Sequence, residues 1–288
     1  MVSANKTTGL GHYFRCLALT EAARNRGHIV GFVSDRKPPF NSLLYYPAEY
    51  LDEGGFAKAY EKFHPDWVVA DLPVTVPDFV LNTPARKCLI DGIGHEVQAR
   101  ANLNISQGLD GGEYKAPEYV LIRRRSMLPV VKPEPVKGMF VFGGGADKLG
   151  LAKRFVQTCP DILANVVISP LAEQIHMDAS YVHNVYQMDD DRIFRVIQKS
   201  NAAVVHMGMI CWEIIAHYVA PHIFSYSIEH LESAQRLEEA EYALAYDFVG
   251  LPESDVAFNE FVRQPALYRG KPIDGRGAER VVKLMERG

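Results

Sequence analysis

The chain has 288 residues, of which 48% are hydrophobic and 23% charged, and its net charge is −4. That length accommodates two domains of ordinary size. The composition is that of a globular protein, and the acidic charge gives no general attraction to nucleic acid or anionic membrane. No apolar run approaches the roughly 18 residues needed to cross a bilayer, and no signal-peptide core opens the chain, so the expectation is a cytoplasmic protein without a membrane span. Cys16, Cys88, Cys159 and Cys211 sit far apart in apolar stretches without a C-x-x-C pair, which reads as reduced core thiols.

Val2 to Ala4 reads as a short first strand. Thr7-Thr8-Gly9-Leu10-Gly11 follows as a turn, and a helix then runs to about Arg26 with Phe14, Leu17, Ala18 and Ala22 on one face. Gly9 and Gly11 allow a sharp turn and close approach to a ligand, while the helix start offers N–H groups and a positive dipole end to an anion. His12 stands at that helix start, with Arg15 one turn on. Gly27 stops the helix. Next come a strand over 28–34, a break at Pro38-Pro39, a helix over 56–63 and a strand Trp67–Asp71. Lys87–Gly92 repeats the device of apolar strand, acid and turn. Such alternation implies a parallel sheet covered on both faces, with ligands outside the carboxyl ends of its strands. Asp71 and Asp91 would both lie there. Short strands over 102–105 and 119–122 complete the first half, and Arg123-Arg124-Arg125 reads as a solvated face.

The stretch 128–138 holds three prolines in eleven residues and reads as a stiff linker between a domain over 1–130 and one over 138–288. Past it the pattern restarts: strand 139–142, the turn Gly143-Gly144-Gly145, then a helix over 149–159. No Gly-Lys-Ser/Thr follows, and there is no dinucleotide fingerprint, yet three glycines after a strand let the backbone approach a diphosphate. Strands over 165–169 and 182–186 and a helix over 189–199 lead to strand 202–206 and then Met207-Gly208-Met209-Ile210-Cys211-Trp212-Glu213. There a glycine turn and a helix start present N–H groups to phosphate, and Glu213 is placed to accept from ribose hydroxyls. A strand 222–225, a helix 229–240 containing His230, and a closing amphipathic helix with Val281, Val282 and Leu284 inward, expected to pack back on the first domain, complete the chain.

Gly9-Leu10-Gly11-His12 followed by Arg15-Cys16-Leu17-Ala18-Leu19 resembles the opening of the PseG/SpsG-like family, which contains UDP-sugar hydrolases of pseudaminic-acid biosynthesis and spore-coat polysaccharide proteins. The segment Met207–Glu213 resembles that family's Gly-x-Thr-x-Trp-Glu, and residues 273–281 are similar to its closing segment. The resemblance implies a GT-B fold of two Rossmann-like domains facing each other across a cleft. It also implies a UDP-linked sugar bound in the second domain near Gly144 and Gly208, and His12 as the catalytic residue. The chain departs from the pattern at Asp71-Leu72-Pro73, where the hydrolases show Asp-His-Tyr. Further departures are Glu229-His230, where Asn-Gln is usual, Cys211 in place of Ser or Thr, and an unusually short first strand.

A neutral imidazole takes a proton from a hydroxyl at neutral pH, and such base catalysis contributes about 10²–10⁴-fold. Attack opposite the departing UDP inverts the anomeric centre. The histidines form no H-x-H or H-E-x-x-H cluster, so neither metal nor cofactor is expected. Because the departures lie near the sugar, the expectation is transfer to an acceptor hydroxyl of undetermined chemistry, by a glycosyltransferase. Hydrolysis by water stands as the alternative, and non-catalytic nucleotide-sugar binding as the third reading.

Overall fold

The computed structural model describes residues 1–4, 10–38, 40–49, 52–92, 94–123, 138–145, 147, 150–169, 172, 183–187, 190–247 and 254–288. Outside them lie Thr7, Thr8 and Gly9 of the first turn, Arg124, Arg125, the expected linker up to Lys137, and the expected element starts Leu149, Val182 and Asp189. The chain forms two compact units, Met1–Arg123 with Asp274–Gly288, and Arg124–Ile273.

In unit 1, α1 (Gly11–Asn25) precedes the parallel pair β1 (Gly31–Ser34) and β2 (Leu44–Pro47), and α2 (Glu53–Phe63) leads to β3 (Trp67–Ala70). The short helix α3 (Asp78–Leu81), β4 (Arg86–Ile90), α4 (His95–Ala99) and β5 (Leu103–Ile105) follow. The strands β3, β4 and β5 pair side by side, all parallel. Val2 joins the two sheets, bridging in parallel to Ser34 on one side and Asp71 on the other. With Val2 counted as the first strand, the order across the sheet is 3-2-1-4-5-6, the doubly wound pattern whose switch point lies beside that strand.

Strand alternation sorts the core into two layers. Cys88 and Ile90 of β4 pack with Ala18, Leu19 and Ala22 of α1 and with Val281 and Val282 of the last helix, α10 (Gly277–Arg287). Leu89, between them, faces the other way, toward Phe56, Val68 and Val80. Thus α10, last in sequence, packs on α1, first in sequence. Gly277 is required at its start, since a Cβ there would stand 2.2 Å from the Val120 carbonyl oxygen. Leu284, expected inside, is only partly buried.

Unit 2 repeats the plan. Its parallel strands are β6 (Met139–Phe142), β7 (Ala164–Ile168), β8 (His183–Gln187), β9 (Ala202–His206), β10 (Pro221–Ser225) and β11 (Leu244–Asp247). Among them run α5 (Leu151–Thr158), α6 (Asp190–Lys199), α7 (Met209–Ile215) and α8 (Ile228–Glu239), with α9 (Asp255–Val262) after β11. The order β11-β10-β9-β6-β7-β8 is again 3-2-1-4-5-6 counted from β6. The strands β6, β7 and β10 are buried at every residue, as expected for central parallel strands, and Phe224 stacks on Phe258 of α9.

The structure departs from the sequence expectations in several places: the strand over 28–34 is only Gly31–Ser34, Val2–Ala4 is a single bridge at Val2, and the helix α9 was not expected. The stretch 119–122 is not a strand, although Val120, Leu121 and Ile122 are buried. The Gln107 side chain replaces a ladder there: the Leu121 N–H donates to its Oε1 (2.7 Å), and its Nε2 donates to the Tyr119 carbonyl (3.3 Å). The strands β2 and β11 lie outside those expectations although Leu43–Tyr46 and Tyr242–Tyr246 are unbroken apolar runs; both strands are short and incompletely buried.

Candidate functional site

Unit 1 gathers four of the sequence-singled side chains at its switch point. Gly11 opens α1, so His12 and Arg15 occupy successive turns of its first half. Asp71 follows the end of β3 and is fully buried. His12 Nδ1 lies 2.6 Å from Asp71 Oδ1, which only accepts, and 2.8 Å from Arg15 Nη2, which only donates; the tautomer with Nδ1–H on the carboxylate leaves Nε2 as the nitrogen able to take a proton. Arg15 forks onto the same carboxylate, Nε to Oδ2 at 2.9 Å and Nη2 to Oδ1 at 2.5 Å, and its Nη1 donates to Asp91 Oδ2. Asp91 has a left-handed backbone (φ 48°), which aspartate tolerates better than most residues, and its Oδ1 accepts the Gln107 N–H at 2.7 Å.

Charge and burial fit together at this point. Burial pushes the Asp71 carboxyl up, but the Arg15 guanidinium and the His12 hydrogen bond outweigh it, and its pKa lies below the ordinary value. Burial works against the Arg15 charge, yet Asp71 and Asp91 hold its pKa above the ordinary value. Chemically, the cluster is an oriented imidazole backed by a carboxylate that stays ionised and would stabilise an imidazolium. His12 keeps 21% of its side chain exposed, while Asp71 and Arg15 lie beneath it.

The equivalent place in unit 2 is built differently. After β6, Gly143 and Gly144 are needed as glycines: a Cβ on Gly143 would fall 2.0 Å from the Asp147 carboxylate, and Gly144 has φ +80°. Asp147 turns back to accept the N–H groups of Leu151 (2.7 Å) and Ala152 (3.2 Å), capping α5. The Ser169 hydroxyl donates to the Gly145 carbonyl (2.6 Å). At the end of β9, the buried His206 donates from Nδ1 to the Phe224 carbonyl (3.1 Å), with Nε2 3.4 Å from Asp147 Oδ1. The Tyr226 ring meets His206 edge-on and lies 4.3 Å, centroid to centroid, from His230, whose Nδ1 is 2.6 Å from the Ser227 hydroxyl.

Of the other residues singled out, Met207 is half-buried and Gly208 exposed, at the start of α7. Gly208 is extended (φ 163°), and a Cβ on it would meet nothing within 4 Å. Trp212 and Glu213 are 2% and 3% exposed, and Trp212 packs edge-on to Tyr242. The Cys211 thiol donates to the His206 carbonyl (3.3 Å), and burial raises its pKa to about 12, which makes it a core thiol. Asp147, His206 and Tyr226 escaped the sequence reading; the polar residue ending the apolar run Ala202–His206 is the same signal that marked Asp71. Among the described residues no group of His, Cys, Asp and Glu side chains forms a set able to hold a metal ion, and no helix is long and apolar enough to cross a membrane.

No family model and no curated protein matches the sequence. Solved structures do match along nearly the whole chain. The spinosyn forosaminyltransferase SpnP superposes with a TM-score of 0.62 at 14% identity, covering 99% of this chain and 97% of its own. MurG from Acinetobacter baumannii gives 0.60 at 12% identity over 99% and 98%, and the glycosyltransferase VinC in complex with dTDP gives 0.58 at 15% over 100% and 98%. The fold is GT-B. Identities this low carry the fold alone, and a UDP-GlcNAc 2-epimerase from Methanocaldococcus jannaschii shares it at a TM-score of 0.56 and 9% identity.

Proposed function

We propose that the chain is a glycosyltransferase that moves a sugar from a nucleoside diphosphate, UDP by the sequence resemblance, to an acceptor hydroxyl. The supporting observation is the His12–Asp71–Arg15 cluster at the switch point of unit 1, an oriented base on a fold shared with glycosyltransferases. In the proposed step His12 Nε2 takes the acceptor proton. The acceptor oxygen forms a bond to the anomeric carbon from the face opposite the leaving group, and the sugar–phosphate bond breaks with its electron pair on the diphosphate. The anomeric centre inverts, and Asp71 stabilises the imidazolium. The nucleotide is assigned to unit 2, where the Gly143–Gly145 turn and Gly208 offer backbone to a phosphate, and Glu213 is assigned to the ribose; the Met207 N–H already donates to the Phe224 carbonyl (3.4 Å). The reading requires no metal, so activity should survive chelation.

The test is a panel of nucleotide sugars assayed for diphosphate release with and without candidate acceptors. Release that rises steeply with one acceptor supports transfer. Full-rate release of free sugar without acceptor makes the chain a hydrolase, and no release from any donor makes it a binding protein.

A further inference from the structure

The turn after β6 and the start of α5 make a seat for an anion, and the chain fills it with a carboxylate of its own. Each oxygen of Asp147 takes one N–H of α5, Oδ1 from Leu151 at 2.7 Å and Oδ2 from Ala152 at 3.2 Å. These N–H groups belong to the set that a helix start leaves without backbone partners, at the positive end of its dipole. The same carboxylate lies against the glycine turn: a Cβ on Gly143 would stand 2.0 Å from its Oδ1 and 2.5 Å from its Oδ2. The backbone that Gly143 leaves open is therefore covered from within.

One more polar atom points into the seat and goes unmet. His206 is 2% exposed, and its Nδ1 donates to the Phe224 carbonyl. Its Nε2 stands 3.4 Å from Asp147 Oδ1 and has no hydrogen-bond partner among the described residues. Buried polar atoms normally have a partner. Each Asp147 oxygen already turns to a helix N–H, whereas a diphosphate brings more oxygens and more charge than one carboxylate. In the imidazolium form, Nε2 would donate to such an additional oxygen while Leu151 and Ala152 hold the others.

We propose that Asp147 is a built-in competitor of the donor. Its carboxylate holds the phosphoryl seat made by Leu151, Ala152 and His206, and a diphosphate binds there by displacing it. This rests on the assignment of the nucleotide to unit 2. Like charges this close repel, so the seat takes one anion at a time. Exchanging carboxylate for phosphate keeps the start of α5 capped in both states, and unit 2 binds the nucleotide less tightly for it.

The test uses two variants of the full chain. Asp147→Ala removes the carboxylate and should lower Tm by about 2 °C or more, the effect of a lost cap. Inorganic phosphate, compared with sodium chloride at equal ionic strength, should restore about half of that loss or more. It should shift the wild-type Tm by less than about 1 °C, because there the seat is taken. Asp147→Asn keeps a capping oxygen and removes the charge, so its affinity for UDP by calorimetry should rise about tenfold or more over the wild type. An equal phosphate effect on wild type and Asp147→Ala would overturn the inference. So would a UDP affinity that is unchanged or lower in Asp147→Asn, which would leave Asp147 a helix cap and the nucleotide assignment intact. If the wild type binds no UDP, that assignment falls. A phosphate effect confined to Asp147→Ala then still supports the seat, and its absence overturns it.

Discussion

The two units share one strand order and load its switch point in opposite ways. Unit 1 places four titratable side chains there: His12 and Arg15 meet on the buried Asp71 carboxylate, and Arg15 reaches on to Asp91. Unit 2 places a glycine turn, an exposed Gly208 and a buried histidine there, with Asp147 spent on capping α5. A doubly wound sheet makes a crevice at that point whatever its sequence. The fold fixes where a ligand meets the sheet, and the side chains decide whether the crevice does chemistry or offers backbone to a ligand. Each variant below is a way to break that division of labour.

The largest effect is expected where charge is buried. Arg15→Ala leaves the fully buried Asp71 carboxylate without its guanidinium, and should destabilise unit 1 by about 3–5 kcal/mol in urea unfolding. Acid should do the same thing gradually. Asp71 has a depressed pKa in the folded chain, so its contribution is full above the unfolded carboxyl value of about 3.9 and is lost as pH falls through the lower folded value. Stability followed below about pH 4 should therefore fall more steeply in the wild type than in Asp71→Asn. Matching slopes would mean that the cluster is not what holds unit 1 together.

Next comes the base. His12→Ala removes a side chain that is partly exposed and bonded to a carboxylate which Arg15 still satisfies, so stability should change little. Turnover should drop about 10²-fold or more, and UDP affinity by calorimetry should hold, because the base acts only in the transition state. A fully active variant would move the chemistry out of unit 1. Glu213→Gln makes the reciprocal test in unit 2. It keeps the buried volume and removes the charge, and if the ribose assignment is right UDP affinity should fall about tenfold, the scale of one hydrogen bond to a charged group. Unchanged affinity returns Glu213 to a role inside α7.

Much of this was legible before any coordinates. Trp67–Asp71 and Lys87–Gly92 announced themselves because central parallel strands are apolar on both faces and end at polar residues. The same rule, applied to Ala202–His206, points to His206. What the sequence could not show was partnership. His12 and Asp71 are 59 residues apart and Arg15 and Asp91 are 76 apart, and no spacing rule joins positions that only the crossover connections bring together. The edge strand Leu44–Pro47 was also hidden: Leu43-Leu44-Tyr45-Tyr46 is an apolar run, but four such residues before a proline do not by themselves tell a strand from a buried loop. Tyr119–Ile122 misled for the opposite reason: it is apolar because it is buried, but the Gln107 amide takes the backbone partners that a neighbouring strand would have supplied.

The smallest effects separate the glycines of unit 2 from one another. The sequence offered Gly143, Gly144 and Gly208 as equivalent turn residues, and the structure makes them different. A methyl at 143 meets the carboxylate that caps α5, so Gly143→Ala must displace Asp147 or the turn, and should cost about 1–3 kcal/mol, the scale of overpacking and of a lost cap. Gly208 is extended, and its methyl would stand in open space, so Gly208→Ala should leave stability within about 0.5 kcal/mol. If the backbone at 208 approaches a diphosphate, however, that methyl occupies the approach. UDP affinity should then fall in Gly208→Ala while its melting curve overlays the wild type. An affinity that stays with the melting curve would mean that Gly208 touches no nucleotide, and unit 2 would retain only the Gly143–Gly145 turn as its phosphate site.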